Sequence, residues 1–351
     1  YHNARDFMSF PRVGGPHLRN AKVPGIHHEW LDSQRSAFDA IRERDVLLHY
    51  PYQSFHHIID LLREAAIDPR VRSIKMTLYR VARDSRVVNA LINAVRNGKK
   101  VTVLLELQAR FDEQPNIFWT KELEDEGARV LTGVPGLKVH AKLCMISRRE
   151  GKRTVEYAAI GTGNYNEHTA QIYTDHTLLT ADARVTAEAR KVFEFLENNY
   201  KTHTYKHLIV SPFDTRRRFT KLIKREMKNA KDGKPAYIHA KMNSLVDRKM
   251  VTKLYEASQA GVQVRLIVRG ICSLVPGVPD LSENIEVISI VDKYLEHSRI
   301  FFFCNDGDEQ CFISSADWMV RNLDHRVEVT APIYDPTLRA ELREYLDHQF
   351  R

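Results

Sequence analysis

Cysteine is scarce in this sequence. Four occur in 351 residues, Cys144, Cys272, Cys304 and Cys311, with no Cys-x-x-Cys and no zinc spacing. That argues against a disulfide framework or a structural zinc site. Cys304 and Cys311 flank the turn Asn305-Asp-Gly-Asp308 and could meet across a hairpin, but the preferred reading is four free thiols in a reducing compartment. Long apolar runs are missing too. No stretch of about 18 apolar residues occurs, which excludes a membrane-spanning helix, and no signal-peptide pattern opens the sequence. There is no Gly-x4-Gly-Lys-Ser/Thr loop and no kinase glycine loop, so phosphate is not cradled in either familiar way. An initiator Met is also absent. The chain opens at Tyr1 and enters an irregular run, Phe10-Pro-Arg-Val-Gly-Gly-Pro16, and is expected to be a piece of a longer protein.

What is present reads as globular: 43% of residues are apolar and 28% charged. Lys and Arg number 53 against 45 acids, a net charge of +8. This favours an anionic partner, whether nucleotide, polyphosphate, nucleic acid or acidic lipid. The length allows two domains of ordinary size.

An internal repeat organises the chain. In the first copy Ile74–Tyr79 reads as a strand, Val87, Leu91 and Val95 carry a helical period closed by Asn97-Gly98, and Val101–Leu107 reads as a buried strand. In the second copy Ile238–Met242, Val251–Ala260 with Gly261, and Val264–Val268 repeat that order. A shorter strand follows in each, Ala128–Leu131 and Ile285–Ile288. The expected fold is α/β: two domains related by the repeat, each a mostly parallel mixed sheet flanked by helices. Residues 1–30 read as the tail of a preceding helical domain and a linker. Residues 31–205 form the first domain, closed by a long helix over Ala181–Asn199, and 206–351 the second. The segment Lys201–Pro212 is the expected linker.

Each copy then places a histidine two residues before a cation on a predicted strand, followed by a small-residue turn. The first reads Leu137-Lys-Val-His140-Ala-Lys142-Leu-Cys-Met-Ile146, then Gly161-Thr-Gly-Asn164. The second reads Tyr294-Leu-Glu-His297-Ser-Arg299-Ile-Phe-Phe-Phe303, then Ser314-Ser-Ala-Asp317. Strand side chains alternate, so each histidine and its cation share a face, and Glu296 takes the other. A neutral imidazole is a competent nucleophile that forms a labile N–P bond, and the cation beside it can neutralise a phosphoryl oxygen. Two such units suggest one site built from two halves, with His140 attacking and His297 donating a proton or gripping nucleotide. The glycines of Gly161–Asn164 permit close backbone approach to phosphate, and Asn164 with Glu167 fits a helix cap. The plainer reading of that segment is a turn and a cap. A third His-x-Lys, His239-Ala-Lys241, lies on the first strand of copy two, opposite Ser73 and Lys75 of copy one, and has no glycine turn after it. It is set aside as a coincidence of letters. Arg80, Arg110 and Arg269 close predicted strands at the edge where α/β sheets collect ligands, and Tyr173 could stack on a base. The remaining histidines, among them His27, His28, His56, His57, His203 and His207, show no ligand spacing.

The paired units resemble the phospholipase D superfamily. That pattern wants Asp four residues after the cation, where Ile146 and Phe303 stand here. The sequence is more similar to polyphosphate kinases of the first type. The runs that carry this are Phe38-Asp-Ala-Ile-Arg-Glu-Arg-Asp-Val-Leu-Leu48, Glu106-Leu-Gln-Ala-Arg-Phe-Asp-Glu113, Gly136-Leu-Lys-Val-His-Ala-Lys142, Ile160-Gly-Thr-Gly-Asn164, Arg269-Gly-Ile-Cys-Ser-Leu274 and Ser314-Ser-Ala-Asp-Trp-Met319. The resemblance implies reversible transfer of the terminal phosphate of ATP to inorganic polyphosphate through a phosphohistidine at His140. It implies a second essential histidine at His297, ATP contacts at Tyr173, Arg269 and His297, and Mg2+ associated with Arg80 and Arg110. Arginine has no lone pair for a metal, so those two are expected to grip magnesium-bound phosphate. The implied partners are ATP, ADP and polyphosphate, with homo-oligomers, no nucleic acid, and a cytoplasmic location compatible with peripheral contact at the inner membrane. A phosphodiesterase and a non-catalytic polyanion-binding module are the alternatives.

Overall fold

The computed structural model describes residues 11, 13–21, 23–106 and 113–351. Sixteen strands among them form two eight-stranded sheets. In chain order the strands are β1 (Val46–Tyr50), β2 (Val71–Leu78), β3 (Lys100–Leu105), β4 (Arg129–Leu131), β5 (Lys138–Val139), β6 (Lys142–Glu150), β7 (Arg153–Gly161) and β8 (Tyr173–Thr180). They continue as β9 (Ile209–Ser211), β10 (Tyr237–Met242), β11 (Gln263–Val268), β12 (Ile285–Ile288), β13 (Leu295–Glu296), β14 (Arg299–Phe303), β15 (Gln310–Ser314) and β16 (Arg326–Pro332).

The first sheet runs β1-β8-β7-β6-β2-β3-β4 and the second β9-β16-β15-β14-β10-β11-β12, the same order twice. Apart from the two-residue strands β5 and β13, parallel pairing is confined to the strand–helix–strand parts, β2-β3-β4 and β10-β11-β12. The rest of each ladder is antiparallel, because β6 to β8 and β14 to β16 follow one another without the crossover helix that parallel neighbours need. The expectation of mostly parallel sheets is corrected to that extent.

The two-residue strands β5 and β13 break the symmetry of each sheet in the same way. Each leaves its own half and pairs parallel with the other: Lys138–Val139 beside Arg326–Val327 of β16, and Leu295–Glu296 beside Tyr173–Thr174 of β8. The halves thus exchange the strand that leads into each histidine.

Strand alternation builds three cores. Ile300 and Phe302 of β14 face a core between the sheets, shared with Leu143, Met145 and Leu178 of the first half and with the helices Ala183–Glu197 and Pro336–Gln349. Phe301 and Phe303 face the outer core under the helices Thr215–Lys231 and Arg248–Gln259. Cys144 and Ile146 face the corresponding core of the first half. Burying each large apolar side chain is worth about 1.5–3 kcal/mol, so the inter-sheet core holds the halves in one register. The expected linker is fastened as well. Glu188 accepts N–H bonds from Lys206, His207 and Leu208 at 2.6, 2.9 and 2.7 Å, and Ile209–Ser211 joins the second sheet. All four cysteines are unpaired, and among the described residues no helix is long and apolar enough to cross a membrane.

Candidate active site

The strand exchange decides where the histidines sit. The strand expected over 137–146 is interrupted at His140 and Ala141, whose N–H groups both donate to the Val327 carbonyl of β16 at 2.9 Å. His140 therefore leaves β5 beside β16, and its Nδ1 donates to Glu328 Oε2 at 2.9 Å. The mirror arrangement holds His297. Its N–H donates to the Thr174 carbonyl at 3.2 Å, and its Nδ1 lies 2.9 Å from both oxygens of Asp175. Each half supplies a histidine, and the other half supplies the carboxylate that orients it.

Those carboxylates are held in turn. Thr162 Oγ1 donates to Asp175 at 2.6 Å, Ser315 Oγ donates to Glu328, and Asn322 Nδ2 donates to Glu328 Oε1 at 2.6 Å. Burial works against the charged form of Asp175 and Glu328, yet the facing imidazoles and hydroxyls hold both carboxyls below their ordinary values. Neither residue stood out in the sequence. The signal was there: thirteen residues separate Thr162 from Asp175 and Ser315 from Glu328.

Both imidazole side chains are 13% exposed. Burial pushes His140 down to about 4 against the pull of Glu328, and lowers His297 against the pull of Asp175. Both rings are therefore neutral at pH 7. With Nδ1–H given to Glu328, the Nε2 lone pair of His140 remains for chemistry. The Tyr79 ring packs edge-on against His140 with centroids 5.1 Å apart.

The cations converge from both halves. Lys142 is buried, its Nζ bonded to the His140 carbonyl, and burial drives it well below the ordinary lysine value while Glu328 pulls the other way. Arg299 forks onto Asp317 at 3.2 and 3.1 Å, donates to the Thr162 and His297 carbonyls at 3.2 and 2.9 Å, and places Nη1 3.2 Å from His297 Nε2. Burial opposes its charge, but Asp317 keeps it above the usual arginine value. Arg269 donates to Asn243 Oδ1 at 2.9 Å, and the Asn243 N–H donates to Asp317 Oδ1 at 2.8 Å. Tyr173 packs its ring 5.1 Å from His297. The structure thus brings together His140, Lys142, His297, Arg299, Arg269 and Tyr173.

Other expectations change. Asn164 does not cap a helix; the segment after it is a single 3-10 turn, Thr169–Gln171, entered through His168, and Asn166 Oδ1 accepts from the His168 and Thr169 N–H groups at 3.0 Å. Glu167 instead caps the helix Arg86–Arg96, accepting from Arg86 and Val87 N–H at 2.5 and 3.2 Å. Asn164 Oδ1 is buried with no hydrogen bond among the described residues. The bareness of Gly163 makes room for Asp175, because a Cβ there would overlap its carboxylate. Arg80 follows β2, with its carbonyl 3.4 Å from Asn166 Nδ2. Arg110 and the run 107–112 lie outside the described residues.

His27, His57 and Asp32 come within 4.8 Å of one another, which the sequence spacing hid. The His28 N–H donates to His57 Nε2 at 2.8 Å, so a neutral His57 carries its proton on the nitrogen facing Asp32 and offers no lone pair there.

Two interlocked α/β halves sharing one pair of histidines define a phospholipase D-like fold. A phosphatidylserine synthase from Haemophilus influenzae shares it, with a TM-score of 0.58 at 13% identity over 87% of this chain and 86% of that one. Within that class the sequence is more specific. Residues 36–202 match the family model for polyphosphate kinase C-terminal domain 1, and residues 208–351 the model for C-terminal domain 2. The polyphosphate kinase of Salmonella typhimurium is 54% identical over 100% of this chain and 51% of its own length. The crystal structure of polyphosphate kinase from Porphyromonas gingivalis superposes with a TM-score of 0.92 at 42% identity, covering 100% of this chain and 54% of that one. The chain belongs to the polyphosphate kinase family, and it spans about half the length of the curated relatives it matches.

Proposed function

We propose that this chain carries the transfer centre of a polyphosphate kinase, with His140 as nucleophile. The observation that carries this is the Nδ1–Glu328 bond, which leaves a neutral imidazole with Nε2 bare beside buried cations. His140 Nε2 attacks the terminal phosphorus of ATP. The N–P bond forms, the bond to the bridging oxygen breaks, and ADP leaves with that oxygen's electron pair. Glu328 balances the positive charge that arises on the ring. A terminal oxygen of polyphosphate then attacks the phosphohistidine, and the freed imidazole is ready for the next ATP. Every step is reversible, so the same ring serves synthesis and breakdown.

Arg299 supplies permanent positive charge, and an incoming phosphate gives Lys142 the anionic partner that favours its protonated form. His297 is neutral and faces Arg299, which fits a grip on nucleotide better than proton donation. Tyr173 and Arg269 flank it and complete the nucleotide contacts. The carboxylates of the described site are taken: Asp175, Asp317 and Glu328 are engaged by His297, Arg299 and His140. The described site offers the ion no free carboxylate, so it enters as the counter-ion of ATP and no step is assigned to it. Arg80 and Arg110 grip magnesium-bound phosphate on the strength of the family likeness, and Asn164 lies in the glycine turn that approaches phosphate. Homo-oligomers and a cytoplasmic setting are proposed on the same likeness, and the division at residues 31–205 and 206–351 on the internal repeat.

The test is chain growth and its reverse in the full-length protein. ATP should lengthen polyphosphate, ADP should shorten it, and His297→Ala should lose turnover while remaining folded. Release of phosphatidic acid or nucleotides from lipid or nucleic acid, without transfer from ATP, would reassign the chain to phosphodiester hydrolysis. Salt-sensitive polyanion binding without either reaction would leave it a binding module.

A further inference from the structure

The third His-x-Lys, unused by the chemistry above, has a place in the structure. Lys241 of β10 is buried, and its ammonium sits on the carboxylate of Glu296, the residue immediately before His297. The ladder places Lys241 opposite Ile300. In the first half the matching position, beside Leu143, is Thr77 rather than Lys75, with the Leu143 N–H donating to Thr77 Oγ1 at 2.9 Å.

Glu296 is a hub. Thr174 Oγ1, Tyr345 Oη and Gln349 Nε2 each donate to its Oε2 at 3.0 Å, and Lys241 also meets Tyr345 and, at 2.9 Å, Gln349 Oε1. Four segments are tied at this carboxylate: β8, β10, β13 and the last turns of the helix Pro336–Gln349. The carboxyl is held below its ordinary value by Lys241 even though burial opposes its charge.

The first half makes the same strand exchange with a different fastening: the Val139 N–H of β5 donates to the buried Glu106 Oε2 at 3.1 Å. There the residue before the histidine is Val139, buried in the inter-sheet core. The ion pair is therefore no requirement of the exchange. Nor does a buried pair ordinarily gain stability over apolar side chains of similar size. What it does provide is a fixed position. β13 has only two residues, and its one ladder partner is Tyr173–Thr174. His297 and Glu296 point to opposite sides, so a carboxylate clamped below sets the ring above.

We propose that Lys241 and Glu296 are positioning residues for His297, clamping β13 so that its imidazole stays between Asp175 and Arg299. This rests on the transfer function proposed above. The test is the double variant Lys241→Met with Glu296→Gln in the full-length protein. It keeps an acceptor for Tyr345 and Thr174 and leaves no unpaired buried charge, so it folds even where Lys241→Met alone does not. A ring displaced by about 1 Å costs roughly a hundredfold in rate. The expected result is a fall in kcat of about tenfold to a hundredfold at an unchanged thermal midpoint, with KM for ATP altered far less. The imidazole NMR signals of His297 should shift and broaden while those of His140 stay in place. Unchanged kcat and unchanged His297 signals in the folded variant would overturn the proposal, and so would equal disturbance of both rings. If the wild type transfers no phosphate, the functional reading falls, and the imidazole signals alone decide the positioning.

Discussion

Replacing Glu328 with glutamine isolates the electrostatic half of the site. The side chain keeps its size, and its surroundings can accept an amide. Asn322 donates to Oε1 at 2.6 Å, while its own Oδ1 is buried with no hydrogen bond among the described residues. Turning the Asn322 amide over would pair its Oδ1 with the new NH2 group and leave the glutamine oxygen facing His140 and Ser315. Geometry is then preserved, and the loss is the negative charge 2.9 Å from His140 Nδ1. A charge-assisted hydrogen bond is worth about 1.5–3 kcal/mol. At about 1.4 kcal/mol per decade, this corresponds to a roughly 10- to 150-fold slower formation of phosphohistidine. Rapid-quench labelling with γ-labelled ATP in full-length Glu328→Gln measures it, with thermal unfolding as the control. Labelling at the wild-type rate in a folded variant would refute the role given to the carboxylate, as would a loss that merely tracks the unfolded fraction.

Three further outcomes follow from the same geometry. Gly163→Ala should push Asp175 away from His297 and lower kcat by about tenfold to a hundredfold, with KM for ATP altered far less; Asp175→Asn should act in the same direction in steady-state kinetics. His49, stacked on His176 with ring centroids 4.0 Å apart, is held down to about 3 by burial. The unfolded chain protonates it near 6.5, so this stability is present above that pH and is lost as pH falls toward 3. Urea unfolding at pH 5 should show up to about 2 kcal/mol less stability from this group than at pH 7, and His49→Phe should remove that share of the difference. Glu188→Ala strands three N–H groups at 206–208 and should cost about 2–3 kcal/mol in urea unfolding.

Much of this was legible in residues close together along the chain. Val87, Leu91 and Val95 mark a helix, and Gly98 and Gly261 end two helices with φ of +74° and +91°. The continuous apolar runs of β3 and β11 mark buried strands. The recurrence of His140-Ala-Lys142 as His297-Ser-Arg299 located the catalytic candidates without any structure. What local pattern did not carry was the strand exchange. Lys138–Val139 is two residues long, and its partners lie near residue 326, so no periodicity could register it. For the same reason the repeat that carries Asp175 and Glu328 could not be tied to the histidines they orient, which lie 122 and 188 residues away. In the sequence Gly163 reads as a phosphate approach, because a bare glycine looks the same whether a ligand or a neighbouring carboxylate needs the space. The meaning of Lys241 depends on Glu296, 55 residues away, which no local pattern carries.

The claim on which the rest stands is that two distant imidazoles share one centre and that His140 is the ring that takes the phosphate. The most direct measurement is to incubate the full-length protein with γ-labelled ATP and magnesium, then map the labelled residue by mass spectrometry at neutral to alkaline pH. Acid-labile label on His140, absent in His140→Ala, is the predicted result. Label that persists in His140→Ala, or that maps to His297, would contradict it.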